Sequence, residues 1–498
     1  MGRVPAPQNC LFSRVSSSFF RIKSRQLLLL SYRPLIALST HLGGFRLSTL
    51  RSGSIARLTV FALATLMLAA CASGGNNTPP PVTQQRPDEK PIGITPPPVA
   101  NLDRNLFLRP PHMSDREPVR IAVLLPLSAR QASVRSVADS LLNAAQLALF
   151  EFGNPNVLLI PKDTQGTNSG AEGAAREALQ EGAELILGPL FSGSVTAVRP
   201  IAAQRNVPVI AFSSDSSVAG NGVYLLSFLP EQDVDRVVDF AGLKGLTVFA
   251  GMVPQNDYGN LMRQALTNAV TSRAGEVYRI ESYPNRAEAM FEPARRLALY
   301  DERKRALASE KARLQGVDSD EAKAALKRLE GRETLGDVPY QAVFVPAGGT
   351  ELRSVAPLLP YFDVDPRKVR FLGTGQWDDA SLGREPSLVG AWFAAPPRDA
   401  HNAFSQRYAR AFGSQPPRIA SLSYDATSLA SALAARPPSQ RFNEQILGNP
   451  DGFAGVDGIF RFLPDGRNER GLAVLEMRRN GPVVVDPAPQ SFVPAPTF

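Results

Sequence analysis

The sequence predicts an α/β protein of two lobes, each built on a doubly wound parallel sheet, with a helical hairpin inserted into the second lobe. Three observations predict this fold. Apolar strands alternate with amphipathic helices over short loops from Val119 onward, the same rhythm restarts after Glu231, and one highly charged stretch, residues 286–334, interrupts it. Alternation at this spacing is typical of parallel sheets covered by helices on both faces.

The first α/β unit opens with the run VRIAVLLPL at Val119, which is apolar apart from Arg120 and is bounded by Pro126. Such a run is typical of a strand buried on both faces. Further strands are predicted at 157–164, 184–190 and 207–214, separated by helices at 136–152, 169–182 and 194–206. Ligands of such sheets bind beyond the carboxyl ends of the strands, so the loops there are candidate site segments.

The second unit predicts helices at 231–243 and 258–272 and strands at 246–253, 276–283, 341–347 and 369–375. Two further helices, 401–412 and 421–433, and a β-hairpin at 458–467 complete the body. We therefore expect lobe one to comprise 118–235 and 398–448, and lobe two to comprise 236–397 and 449–498.

The charged stretch 286–334 is predicted to be a helical hairpin inserted into lobe two. Tyr300, Leu307 and Leu314 are spaced seven residues apart, and Asp318 with Glu321 suggests a capping box before a second helix that ends at Gly331. The pattern fits either a solvated helical extension or a protrusion that binds a partner.

The first 70 residues must be judged apart from the rest. They contain nine Lys or Arg and no Asp or Glu, which exceeds the formal net charge of +8 and leaves the remainder of the chain near −1. The basic character therefore belongs to the leader, and we expect no nucleic-acid partner.

The leader predicts export and lipidation. Residues 58–70 form an apolar run of signal-peptide length, too short to span a bilayer, that follows Arg51 and Arg57. The run ends in Leu68-Ala69-Ala70-Cys71, which resembles the bacterial lipobox. We expect a signal peptide within 1–70, preceded by an extension from a mis-called start codon, and an acyl chain on Cys71. Because Ala72 rather than Asp follows Cys71, the sequence favours the outer membrane, facing the periplasm.

Residues 71–117 are rich in Pro, with PPP at 79–81 and 96–98, and we interpret them as a semi-rigid tether. Removal of the leader discards Cys10, and acylation occupies Cys71, so we expect no disulfide and no thiol chemistry in the body. The three His residues are scattered through the sequence, and we expect neither a metal nor a cofactor.

Several segments together resemble the type I periplasmic binding proteins, the family of leucine- and other amino-acid-binding proteins. They are IAVLLPLS (121–128), NAAQLALFEF (143–152), LILGPLFSGSV (185–195), VPVIAFSSD (207–215), NDYG (256–259), YDA (424–426) and GVDGIFRFLPDG (455–466). Within the family the chain is most similar to the penicillin-binding-protein activators, lipoproteins that stimulate a peptidoglycan synthase. The lipobox, the tether and VYLLSFLPEQDVDRVV (223–238) carry this likeness, although the helical-repeat domain of the enterobacterial activators has no counterpart here.

The resemblance implies a ligand site at the strand ends. In the amino-acid-binding relatives, the loops after the third and fourth strands hold the ligand's carboxylate and ammonium groups. The matching positions here are Leu190, Phe191, Ser192, Phe212, Ser213, Ser214 and Asp215, with Ser192 at a helix start suited to a carboxylate and Asp215 as the ammonium acceptor. Lobe two is expected to contribute Tyr258, Gln376, Trp377 and Asp378, with Trp377 stacking on the ligand. The alternative is structural: the serines cap helices, Asp215 orders a turn and Trp377 packs between lobes.

Two functions follow from these features. The first is a non-catalytic envelope lipoprotein that activates a penicillin-binding protein. The second is the amino-acid substrate-binding protein of an ABC importer, which would hold a small amino-acid-like ligand. No catalytic residues are expected, because nothing in the spacing of acidic residues, Ser or His pairs an acid with a base or a nucleophile with a base.

Overall fold

The computed structural model describes residues 117–493. The first lobe is built on a five-stranded parallel sheet in the order β2-β1-β3-β4-β5. Its strands are β1 (Val119–Leu125), β2 (Val157–Asp163), β3 (Leu185–Leu187), β4 (Val209–Ala211) and β5 (Val223–Leu225). The short strand β5 was not among the predicted strands.

Both faces of this sheet are covered by helices. Three of them connect successive strands: α1 (Ala132–Phe152), α2 (Asn168–Gln180) and α3 (Ser192–Ala203). On one face, Ile121 and Val123 of β1 pack with α1, and on the other face Ala122 and Leu124 pack with α2 and α3. Because successive residues of β1 are buried on opposite faces of the sheet, the strand is apolar apart from Arg120 near its start.

The second lobe has a seven-stranded sheet in the order β15-β14-β10-β9-β8-β6-β7. Its parallel strands are β6 (Val248–Pro254), β7 (Glu276–Tyr283), β8 (Ala342–Phe344), β9 (Arg370–Gly373) and β10 (Trp392–Ala395). The last two, β14 (Ala473–Arg478) and β15 (Gly481–Asp486), are antiparallel, which differs from the predicted all-parallel sheet. Only two residues separate β14 from β15, and such a short connection requires an antiparallel pair.

Helices cover both faces of this sheet as well. They include α4 (Pro230–Leu243), which follows β5, and α5 (Asp257–Thr271), which follows β6. Val234, Val237 and Val238 of α4 pack with Phe249 of β6 in one core. The other face of the sheet packs against two short helices, α9 (Gly349–Val355) and α10 (Leu358–Tyr361).

The inserted helical hairpin is present in lobe two. It follows α6 (Phe291–Leu297) and consists of α7 (Tyr300–Gln315) and α8 (Asp320–Arg328). Leu307 and Leu314 pack with Ala322 and Leu329 in a small core of their own. The predicted capping box on Asp318 is wrong: Ser319 caps α8, and its hydroxyl accepts the N–H of Ala322 at 3.1 Å.

The chain then returns to lobe one. α11 (Asp399–Phe412) and α12 (Ala420–Leu433) both contact α1, and a one-turn helix, α13 (Glu444–Leu447), follows them. A three-stranded antiparallel sheet comes next, formed by β11 (Phe453–Gly455), β12 (Gly458–Phe462) and β13 (Asn468–Arg470). Phe460 and Phe462 pack in the core of lobe one, whereas the sequence placed all of 449–498 in lobe two. Their aromatic rings need an apolar partner, and Tyr224 of β5 provides one, 5.3 Å from Phe462 between centroids.

Three segments cross between the lobes, at 226–229, 396–398 and 471–472. Hydrogen bonds from β13 and α4 hold the first and third of these segments. The side-chain amide of Asn468 donates to the carbonyl of Ser227 at 2.9 Å, the Arg470 guanidinium donates to the same carbonyl at 3.1 Å, and Arg236 of α4 donates to the carbonyl of Leu472 at 2.9 Å. Within residues 117–493, no helix combines the length and apolar character that a membrane span requires.

Candidate functional site

A cavity of about 520 Å³ lies in lobe one, beyond the carboxyl ends of β3 and β4. The seven residues proposed for this lobe on the basis of the resemblance all line it. They are joined by five that the sequence did not suggest: Ser227, Phe228, Arg418, Ile419 and Leu422. Because β3 and β4 are neighbours in the sheet, their following loops open at the same edge, and this brings the two predicted loops together.

The start of α3 forms one wall of the cavity at Ser192. Phe191, the residue before α3, has an extended backbone and provides no side-chain cap. The first-turn N–H groups of a helix have no intrahelical acceptor, so they can bind an anion such as a carboxylate.

Asp215 forms the turn after β4 and also lines the cavity. Its carboxylate accepts hydrogen bonds from the hydroxyl and the N–H of Ser217, at 2.6 and 3.0 Å. The Ser217 hydroxyl lowers the pKa of Asp215, burial opposes this, and the Ser217 N–H and the Ser192 hydroxyl lower it further. Asp215 is therefore ionised at neutral pH, and it orders a turn while its charge faces the cavity region.

Among the described residues that line the cavity, Arg418 is the one cationic side chain. Its guanidinium lies 2.6 Å from Oδ1 of Asp457, and the side chain keeps about a third (34%) of its surface exposed. Sequence reasoning missed Arg418 because it lies more than 200 residues from the strands it faces. Only the packing of α12 against α1 brings it there.

A buried ionic cluster lies behind this wall. Asp457 is fully buried and also contacts Nδ1 of His401 at 3.2 Å and the Ser421 hydroxyl. Burial acts to raise the pKa of Asp457, but the hydrogen bond with His401 and the charges of Arg418 and Arg470 outweigh it and lower the pKa. His401 is 9% exposed and lies on the buried face of α11.

Asp425 belongs to the same cluster. One of its carboxylate oxygens accepts the N–H of Val456 at 2.8 Å. Burial, followed by the negative charge of Asp457, raises the pKa of Asp425 to about 7. Of these two neighbouring carboxyl groups, Asp457 is therefore ionised at neutral pH, whereas Asp425 ionises only as the pH approaches about 7.

The four candidates in lobe two do not lie together, and none of them lines the lobe-one cavity. Gln376 donates to the hydroxyl of Tyr258 at 2.8 Å, so these two form a pair at the ends of β6 and β9. Burial raises the pKa of Tyr258 to about 12, which keeps its hydroxyl protonated. Asp378 pairs instead with Arg398 of the second crossing segment.

Trp377 is fully buried in the lobe-two core, and its indole N–H donates to the carbonyl of Ala347 at 2.8 Å. Because its ring is not exposed, Trp377 cannot stack on a ligand as the sequence predicted. Trp377 also packs within lobe two and not between the lobes. Among residues 117–493, no group of three or more His, Cys, Asp or Glu side chains is placed to hold a metal ion.

Residues 118–299 match the family model of the periplasmic binding proteins. Similar solved structures include a branched-chain amino acid ABC transporter protein of Rhodospirillum rubrum, with 17% identity, a TM-score of 0.58, and coverage of 74% of this chain and 100% of that one. A branched-chain amino acid ligand-binding protein of Burkholderia xenovorans has 19% identity and a TM-score of 0.53, over 76% and 97% of the two chains. A substrate-binding protein of Sphaerobacter thermophilus has 18% identity and a TM-score of 0.53, over 75% and 98%.

A curated relative, an uncharacterized protein of Rickettsia prowazekii, is 21% identical over 115 residues. That alignment covers 23% of this chain and 31% of the relative, so the chain matches about a third of the relative's length. The structural similarities extend over both lobes, and they confirm the predicted two-lobed type I periplasmic-binding-protein fold.

Proposed function

We propose that this chain is a non-catalytic binding protein of the cell envelope that holds a small amino-acid-like ligand in the lobe-one cavity. One observation carries the proposal: the two predicted loops and Arg418 line a single cavity beyond β3 and β4. A concave site with apolar walls and a few converging polar groups is the usual form of a small-ligand site.

The polar groups suit the two ends of an amino acid. The first turn of α3, with the Ser192 hydroxyl, provides donors for a carboxylate, and the ionised carboxylate of Asp215 provides an acceptor for an ammonium group. Phe191, Phe228 and Ile419 line the cavity and are not fully buried, so they provide apolar surface for the rest of the ligand. In this proposal Tyr258 and Gln376 contact the ligand from lobe two when the lobes close.

This site favours the importer role over the regulatory role. The similar proteins of R. rubrum and B. xenovorans are described as branched-chain amino acid transport proteins, which agrees with an amino-acid-like ligand for the same fold.

A thermal-shift screen of the twenty amino acids, followed by calorimetric titration, tests the proposal. A ligand at a hundredfold excess over its Kd stabilises the folded state by about 2.7 kcal/mol. We expect Ser192→Ala and Asp215→Asn to weaken binding about tenfold each, and the exposed Ser169→Ala of α2 to leave it unchanged. If no amino acid shifts the melting temperature, the binding proposal is wrong.

Activation of a peptidoglycan synthase is the second candidate function. The lipobox at Cys71 and the Pro-rich tether favour it, and the α7–α8 hairpin adds a charged protrusion with its own core. It requires that the purified body bind a penicillin-binding protein at micromolar concentration and raise its polymerisation or transpeptidation rate. A body lacking the hairpin serves as the comparison; no complex and no rate change for the intact body would exclude this role.

We propose further that Cys71, which lies outside the described residues, is the lipidated N-terminus of a mature outer-membrane lipoprotein. Mass spectrometry of the N-terminal peptide should show diacylglyceryl and acyl additions on Cys71, and Cys71→Ser should abolish them. Detection of the intact leader on the mature protein would contradict the proposal.

A further inference from the structure

Arg418 lines the cavity, and its ion pair with Asp457 engages only part of its guanidinium. The pair with Asp457 engages one terminal nitrogen, and a third of the side chain remains exposed among residues that line the cavity. The guanidinium also lies 5.8 Å from the centroid of the Phe228 ring, which is part of the same wall. A guanidinium has five N–H donors in a fixed plane, so this arrangement leaves donors available to a ligand.

Another arginine, Arg470, lies behind Arg418 and adds positive charge on this side of the cavity. Arg470 is 6% exposed and packs on the ring of Phe228, with its guanidinium carbon 4.9 Å from the ring centroid. Its two terminal nitrogens have no hydrogen-bond partner among the described residues. Two arginines therefore face one firmly ionised carboxylate, Asp457, and one carboxyl group, Asp425, whose pKa burial raises to about 7.

A second guanidinium lies on the same side of the lobe junction. Arg398 precedes α11, whose first turn carries His401, and His401 and Arg418 contact the same oxygen of Asp457. Burial lowers the pKa of Arg398, and the positive charge of Arg418 lowers it further, which agrees with this proximity. Asp378 of lobe two pairs with Arg398, so the second guanidinium stands where the lobes meet.

We propose that Arg418 binds an acidic side chain of the ligand, and that the preferred ligands are amino acids with a carboxylate side chain. This inference rests on the proposed function: the ligand's own carboxylate and ammonium groups occupy the α3 start and Asp215, and Arg418 is the charged donor that remains among the residues lining the cavity. A neutral apolar side chain at this wall would cover the charged guanidinium without replacing its water, which costs free energy. A side-chain carboxylate replaces that water with charge-assisted hydrogen bonds.

Calorimetric titration of the whole mature body with L-glutamate, L-aspartate, L-glutamine and L-leucine tests the inference. Glutamate and glutamine have nearly the same shape and differ in charge, so their ratio isolates the acidic group. We expect the better of the two acidic ligands to bind at least about tenfold more tightly than glutamine and leucine, and the preference to fall as salt is raised. If glutamine or leucine binds as tightly as the acidic ligands, the inference is wrong while the proposed function stands; if none of the amino acids binds, both are wrong.

Substitutions at Arg418 test whether this residue causes the preference for acidic ligands. Arg418→Gln should reduce the preference for the acidic ligand to less than about threefold while glutamine binding changes little, and Arg418→Lys should retain part of it. Arg410→Gln, an exposed position on α11, is the matched control and should behave as the unmodified protein. If Arg418→Gln does not fold, the lysine variant and the glutamate-to-glutamine ratio still decide the matter. An undiminished preference in a folded Arg418→Gln protein would overturn the assignment to Arg418.

Discussion

The carboxylate of Asp233 accepts a hydrogen bond from the backbone N–H of Gly375 at 2.9 Å. Asp233 lies in the first turn of α4, directly after the first lobe crossing, and Gly375 begins the loop that carries Gln376. The bond therefore connects a crossing segment with the lobe-two candidate pair, Gln376 and Tyr258. Burial raises the pKa of Asp233 to about 7, the Gly375 N–H opposes this, and the charge of Glu231 adds to it.

Asp233→Asn should stabilise the protein at alkaline pH. The folded state binds the Asp233 proton more tightly than the unfolded chain does, so ionisation of Asp233 removes stability as pH rises from about 4 to about 7. Asparagine keeps an oxygen acceptor for Gly375 and carries no charge. Melting curves should show the variant about 2 °C or more above the unmodified protein at pH 8, with a smaller difference at pH 5. The exposed Asp139→Asn of α1 should show no such trend, and equal differences at both pH values would contradict the prediction.

Gly373→Ala should destabilise lobe two. A methyl group at Gly373, the last residue of β9, would overlap with the buried indole ring of Trp377. Because the ring is held by its bond to Ala347 and cannot move into solvent, we expect a loss of about 1–3 kcal/mol in the free energy of unfolding. Gly242→Ala provides the control: this helical glycine of α4 has open space around it, and alanine there should stabilise by about 0.4–1 kcal/mol. Urea unfolding measures both, and a neutral Gly373→Ala would show that the indole is loosely packed.

The same contact explains which site residues the sequence could identify. Ser192 and Asp215 lie a few residues after β3 and β4, whose apolar runs are clear in the sequence. Their place at the edge of the sheet therefore follows from the order of the strands. Trp377 also follows a strand, yet its side chain turns inward because Gly373 leaves room for the ring. Nothing in the local sequence distinguishes an inward from an outward tryptophan.

Arg418 and Asp457 show a different limit. Their positions depend on where α11, α12 and β12 return to lobe one, and these contacts connect residues far apart in the chain. The GVDGIFRF segment has the alternation of a hairpin, and this much was predicted. Its assignment to lobe one depends on the packing of Phe460 and Phe462 against lobe one, which local pattern does not specify.

Asp457→Asn should be strongly destabilising at neutral pH. The substitution leaves His401, Arg418 and the buried Arg470 without their shared anion, and breaking a buried ion pair costs about 3–5 kcal/mol. The pKa of Asp457 is lowered in the folded state, so its contribution is complete above pH 4 and is lost as pH falls through the folded pKa. Urea unfolding should therefore show a large difference from the unmodified protein at pH 7 that narrows at pH 3. The exposed Asp451→Asn is the control, and a difference that stays constant with pH would contradict the role of the charge.

Leu314→Ala should loosen the helical hairpin without unfolding lobe two. Within residues 117–493, Leu314 belongs to the small core of the hairpin and not to the core of lobe two. The base of the hairpin is held separately by Arg303, whose guanidinium donates to the carbonyls of Gly336 and Asp363 at 2.8 and 3.1 Å. Hydrogen exchange should accelerate in the outer parts of α7 and α8 and remain unchanged in β6 and β8, because regions with few buried contacts open independently. Leu297→Ala is the matched comparison: Leu297 is fully buried in the lobe-two core, so its truncation should lower the global free energy of unfolding by about 2–5 kcal/mol. If Leu314→Ala instead lowers the melting temperature as much as Leu297→Ala does, the hairpin and lobe two unfold as one unit.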